Sequence, residues 1–180
     1  MARRADTHTA GARSGCSIAL FVYGTLKRGY SNHDDYCRGV LAVEEALVRG
    51  CLYIRPDRIP FLEVPDENIL ATGTADPAAD AVTQERLARD IEPRLLTENP
   101  VVPPVSGRGV VRGELLEFDD PETRLPAIDR LEGFHPGGRS LYRRVLVPVR
   151  VKESFTVAWT YVVETKPHDW PKLKSDCWTG

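Results

Sequence analysis

The chain has 180 residues, 42% hydrophobic and 28% charged, with a formal net charge of -2. That length suits one domain with at most an elaborated segment, and the apolar share is enough to bury a core. The near-neutral balance gives no basic surface for nucleic acid or an anionic membrane, and no apolar run approaches the ~20 residues of a bilayer span.

Residues 1–16 are polar, contain Arg3, Arg4 and Arg13, and lack the apolar centre of a secretory signal, so a disordered leader is expected there. Residues 17–164 read as the folded body. Cys16, Cys37, Cys51 and Cys177 are scattered, with no C-x-x-C pair. This argues against a thiolate zinc site and a disulfide framework, and free thiols imply a cytoplasmic location. His8, His33, His135 and His168 have no ligand spacing, so no metal is expected.

The first strand is expected at 18–23, a β-branched and aromatic run that stops at Gly24. The polar turn that follows, Gly24-Thr25-Leu26-Lys27-Arg28-Gly29, leaves consecutive backbone N–H groups unclaimed by a ladder, an arrangement suited to a carboxylate or an oxyanion. On local pattern alone it is equally a plain strand-end turn with glycines for backbone freedom. A short helix is expected at 32–39, with Asp34 and Asp35 in its first turn. Two strands over 42–55 follow, bent at Gly50, then a short one at 59–64.

Residues 65–107 change character: Ala, Asp, Thr and Pro dominate. The only periodic stretch is a helix expected from Thr83 to Ile91, with Val82, Leu87 and Ile91 as a sparse apolar stripe. The segment reads as an inserted excursion without its own core, serving as a lid, a partner contact or a loop. Regularity returns with a strand at 110–118 and a helix opened by Asp120-Pro121, with Leu125, Ile128 and Leu131 on its apolar face and a stop at Gly133. Strands are expected at 141–151 and 155–163. The tail, 165–180, carries Trp170 and Trp178 and is expected to pack on the body.

Glu132 is the most suggestive acid. At a helix C-terminus beside inward-facing Leu131, its carboxylate would lose solvation and meet an unfavourable dipole, raising its pKa toward the range useful for proton transfer. By residue type alone a solvated surface glutamate is the commoner outcome. Alternation sends Tyr142 and Arg144 to one side of their strand and Arg143 to the other. His33, Asp129 and Arg144 are secondary candidates.

Tyr23-Gly24-Thr25-Leu26-Lys27-Arg28-Gly29 resembles the Y-G-T-L-(K/R)-x-G signature of the γ-glutamylcyclotransferase-like (AIG2-like) family. Further matches follow in family order: Gly50-x-Leu52-Tyr53, Val111-x-Gly113-Glu114-Leu115, Ile128-Asp129-x-Leu131-Glu132-Gly133, Tyr142-x-Arg144-x-x-Val147-x-Val149 and Ala158-Trp159-x-Tyr161. The resemblance covers roughly residues 18–163 apart from the excursion, which is longer than the family's usual link. It implies an α+β fold, a small mixed β-barrel with flanking short helices.

It also implies an activity: the α-amine of a γ-glutamyl group attacks its own γ-carbonyl, forming 5-oxoproline and expelling an amine. The family's acid/base glutamate falls on Glu132; the substrate cavity falls on Tyr23, Gly24, Thr25, Leu26 and Tyr142. No cofactor is implied, and the partner is a small γ-glutamyl substrate. Two alternatives remain: a non-catalytic member binding an amino-acid-like ligand, or an interaction module acting through the excursion and tail.

Overall fold

The computed structural model describes residues 16–95, 109–164 and 170–180. The expected leader up to residue 15 and the proline-rich part of the excursion, 96–107, lie outside the described residues. Among the described residues eight strands form: β1 (Ile18–Val22), β2 (Ala42–Arg49), β3 (Cys51–Ile54), β4 (Pro60–Glu63), β5 (Ala71–Thr72), β6 (Val110–Phe118), β7 (Tyr142–Val151) and β8 (Ser154–Val163). Among the same described residues three α-helices accompany them, α1 (His33–Tyr36), α2 (Pro77–Leu95) and α3 (Pro121–Glu132), with a single 3-10 turn at Asp66–Asn68.

Hydrogen-bonded order β2-β6-β1-β8-β7, with β7 pairing back onto β2 at Leu47 opposite Arg150, closes a five-stranded barrel. β1 and β8 run parallel and the other pairs antiparallel, so the barrel is mixed. β5 adds to the edge of β7, and β3 and β4 form a separate ribbon. Closure removes the open edges that a sheet of this size would otherwise expose.

Alternation along the strands sorts the core into two sets. Phe21, Val48, Val111, Leu115, Val145, Val147, Val149 and Ala158 share one apolar cluster, which fills the barrel. Ile18, Leu20, Leu116, Phe118, Leu146 and Trp159 share the other with Leu125 and Ile128 of α3 and Ala81 of α2. Gly50 separates β2 from β3; a Cβ there would lie 2.5 Å from the Glu63 carbonyl oxygen, so only glycine lets the ribbon fold back so tightly.

α2 departs from the expected helix. It opens six residues before Thr83, at the Asp76–Pro77 step, where the Asp76 carboxylate accepts the Ala79 N–H at 3.0 Å and Pro77 takes the first helical position. Val82 is 54% exposed and leaves the expected stripe, Leu87 packs on the core as expected, and the Ile91 side chain lies outside the described ones; the buried positions are Asp80, Ala81 and Gln84, two of them polar. Gln84 Oε1 accepts the Ala19 N–H at 3.0 Å, so the helix supplies β1 with a hydrogen bond on the side facing β8.

The tail runs against the ribbon. Ile54 N–H donates to Pro171 O at 3.0 Å and Leu173 N–H to Leu52 O at 2.8 Å. Trp170 packs on Phe61, ring centres 4.6 Å apart, and Trp178 on Tyr30 at 5.0 Å.

Candidate active site

Because β1 and β8 are parallel and β7 is antiparallel to both, the last residues of β1 and β8 and the first of β7 meet at one end of the barrel. α3 ends there too. Gly133 has φ 66°, in the left-handed region; the Gly133 N–H donates to Arg130 O at 3.4 Å and the Phe134 N–H to Asp129 O at 2.9 Å. This is a glycine-terminated helix end, in which the reversal satisfies carbonyls the last turn leaves open. Leu141 N–H then donates to Gly133 O at 3.2 Å, tying the helix end to the start of β7. Glu132 is thereby the last helical residue, delivered to the barrel mouth.

A hollow of about 40 Å³ opens at that mouth. Tyr23, Gly24, Thr25 and Leu26 line it from the β1 turn, Glu132 from α3, Tyr142 and Tyr161 from β7 and β8, and Ile59 and Pro60 from the tip of the ribbon. The structure brings together Glu132 and all five residues expected to bind substrate.

The turn is built to leave donors free. Gly24 O accepts Lys27 N–H at 3.1 Å, Thr25 O accepts Asn32 N–H at 3.1 Å, and Thr25 Oγ1 accepts from the Asn32 side chain at 2.9 Å. Among the described residues no hydrogen bond uses the backbone N–H of Gly24, Thr25 or Leu26. Gly24 is not in the left-handed region; its lack of a side chain matters for space, since a Cβ would lie 3.2 Å from Pro60 Cγ. Gly29, at φ 83°, is the position where the turn needs glycine's backbone freedom. The Lys27 ammonium, itself buried, donates to Trp178 O at 2.6 Å and holds the turn against the tail.

Glu132 is half-buried, and its carboxylate enters no hydrogen bond or ion pair among the described residues. Burial pushes its pKa from 4.5 up to about 7, with no cation nearby to pull it down. Tyr23 and Tyr142 are both raised above the usual phenol range, by burial first and then by neighbouring groups that include Glu132. Both therefore stay neutral. Tyr23 donates to Tyr161 O at 2.8 Å and Tyr142 reaches Pro60 O at 3.5 Å. The site is thus a lone titratable acid, neutral phenols and unclaimed backbone N–H groups.

The secondary candidates stand apart from the hollow. His33 Nδ1 donates to Leu26 O at 2.8 Å, supporting the turn from behind. Asp129 and Arg144 pair with each other beneath the wall, Arg144 Nη1 to Asp129 Oδ1 at 2.6 Å. Tyr161 lines the hollow but was not among the candidates; its signal was available, as it lies two residues beyond Trp159 on an alternating strand. Ile59 and Pro60 reach the site only through the fold of the ribbon. No group of three or more His, Cys, Asp or Glu side chains among the described residues could hold a metal ion.

The sequence matches the family described as Gamma-glutamyl cyclotransferase, AIG2-like over residues 20–87 and 69–180. No curated protein matches it. Among solved structures, an AIG2-like protein from Mus musculus is similar with a TM-score of 0.52 at 19% identity, over 88% of this chain and 87% of that one. YkqA from Bacillus subtilis is similar with a TM-score of 0.51 at 19% identity, over 90% of this chain but only 39% of YkqA. At such identities the structural likeness concerns the barrel alone. The family match, which takes in the β1 turn, the end of α3 and the start of β7, carries the assignment: the chain belongs to the γ-glutamyl cyclotransferase, AIG2-like family.

Proposed function

We propose that this protein is a γ-glutamylcyclotransferase, converting a γ-glutamyl amine or conjugate to 5-oxoproline and the free amine. The observation that carries the reading is Glu132: an unpaired carboxyl, poised near pH 7, in the same hollow as three unclaimed backbone N–H groups.

The chemistry needs little else. The α-amine bonds to the γ-carbonyl carbon of the same residue, and the C–N bond to the departing amine breaks. Five-membered ring closure holds nucleophile and electrophile together, which removes much of the orientational entropy from the barrier. The ionised Glu132 takes a proton from the attacking amine and returns it to the departing nitrogen. Negative charge grows on the carbonyl oxygen, where donors from the Gly24–Leu26 turn would stabilise it. The neutral tyrosines shape the walls without adding charge.

The test is a panel of γ-glutamyl amines, dipeptides and ε-lysine conjugates, assayed for 5-oxoproline with wild type and Glu132→Gln side by side. Wild type is expected to release 5-oxoproline from at least one class, and the Gln variant to lose about 10²–10⁴-fold in kcat. Undiminished turnover by Glu132→Gln would remove the acid/base role.

A further inference from the structure

Beneath the wall of the hollow lies a buried cluster of charge that the chemistry above does not use. Arg144 is fully buried. Its Nη1 donates to both oxygens of Asp129, while its Nη2 donates to Thr74 O at 2.9 Å and to the Asp80 carboxylate. Asp80, 2% exposed, also accepts the Thr74 N–H at 2.9 Å and the Thr74 hydroxyl at 3.0 Å. Asp129 Oδ1 accepts the Tyr161 hydroxyl at 2.7 Å, and Tyr161 lines the hollow. A Cβ on Gly73 would lie 2.6 Å from Arg144 Nε, so the backbone before α2 is moulded onto the guanidinium.

Such a cluster is a costly way to hold a fold, because well-packed apolar side chains of the same volume often do as well or better. What it does provide is direction. Asp80 occupies one edge of the guanidinium and leaves the other for Asp129. Asp129, held by Nη1 in this orientation, shares its Oδ1 between the guanidinium and the Tyr161 hydroxyl. The Tyr161 carbonyl accepts the Tyr23 hydroxyl, so two phenols of the hollow hang on this one strand position. Asp129 also sits one helical turn before Glu132.

We propose that Asp80, on α2 and outside the hollow, is a positioning residue for it: through Arg144 and Asp129 it sets the Tyr161 hydroxyl and with it the wall opposite the β1 turn. The kinetic arm of this proposal rests on the cyclotransferase reading; the spectroscopic arm does not. In Asp80→Asn the guanidinium loses its anionic anchor on Nη2 and is free to turn Nη2 as well toward Asp129, shifting the Oδ1 that Nη1 and the Tyr161 hydroxyl share.

The spectroscopic test labels the full chain with [13Cζ]tyrosine and assigns Tyr161 by its loss in Tyr161→Phe. Asp80→Asn is expected to displace the Tyr161 resonance while Tyr36 and Tyr53 stay in place. An unmoved Tyr161 resonance overturns the proposal. Removing a buried charge risks the fold, so Thr74→Val serves as the second variant: Thr74 is exposed and the change loosens Asp80 without stranding Arg144. It should displace the same resonance by less, and an unmoved signal in it counts equally against the idea.

The kinetic arm uses whichever γ-glutamyl compound turns over. Asp80→Asn and Tyr161→Phe are each expected to lower kcat roughly tenfold with KM within about twofold, and the double variant to be no slower than either. Additive losses would mean that Asp80 does not act through Tyr161. A wild type inactive on the whole panel sinks the cyclotransferase reading instead, and leaves Asp80 to the NMR result.

Discussion

Glu132 stands one position before a glycine in the left-handed region, with its carboxyl turned into the hollow and no partner charge beside it. Its folded pKa of about 7 lies above the ordinary 4.5, which ties acidity to stability. A carboxyl raised by folding favours the protonated native state. The stability linked to that proton is fully present below pH 4.5 and lost as pH rises through about 7. Glu132→Gln cannot ionise, so it is expected to match wild type near pH 4–5 and exceed it at pH 8.5 by about 1–3 kcal/mol, the lower end reflecting its partial exposure. Urea unfolding at the two pH values reads this directly, and an equal gap at both would contradict it. On the proposed acid/base role the same ionisation would govern turnover: a base must be deprotonated to accept a proton, so kcat/KM should rise through about pH 7 on the acid side.

At the scale of elements, the site depends on how closely β6 lies against β1. A Cβ on Gly113 would meet Val22 O at 2.3 Å and the Phe21 ring at 2.7 Å, backbone and packed core rather than a yielding side-chain tip. Gly113→Ala must therefore push β6 away from β1 just before the turn that carries the free N–H groups. A loss of about 3 kcal/mol or more, or failure to fold, is expected, measured as the change in unfolding midpoint. A near-wild-type midpoint would show that the barrel accommodates the spacing. The β3–β4 ribbon contributes differently. Its tip brings Ile59 and Pro60 over a hollow of only about 40 Å³, below the few hundred typical of ligand sites.

For the molecule as a whole, the tail joins the two walls of the site. Trp178 Nε1 donates to Arg58 O at 3.2 Å at the ribbon tip, and Trp178 O accepts from Lys27 in the β1 turn. Its indole is 9% exposed and packs on Tyr30. Trp178→Ala removes the packing and the tie to the tip together and is expected to cost about 3 kcal/mol, seen as a lowered Tm. A change below about 1 kcal/mol would make the tail peripheral to both stability and site. α2 braces the barrel at two places: Gln84 bonds Ala19 near the start of β1, and Asp80 holds Arg144 behind the hollow.

Local signals alone determined the elements that carry the chemistry. β1 and its turn follow from a β-branched run stopped at Gly24, the end of α3 from Gly133, and the β7 and β8 strands from alternation, which also put Tyr142 and Arg144 on one face. Each is written within a few residues, where backbone geometry and periodicity act. The polar docking of α2 was not legible, because Asp80 and Gln84 read as solvated until partners appear. Arg144 finds Asp80 across 64 positions of sequence, and Tyr161 finds Asp129 across 32. Nor did alternation divide Tyr142, which faces the hollow, from Arg144, which faces the cluster. A charge or a hydroxyl on one strand acquires its role only when barrel closure brings distant carboxylates within hydrogen-bonding reach, and that is a property of the tertiary structure.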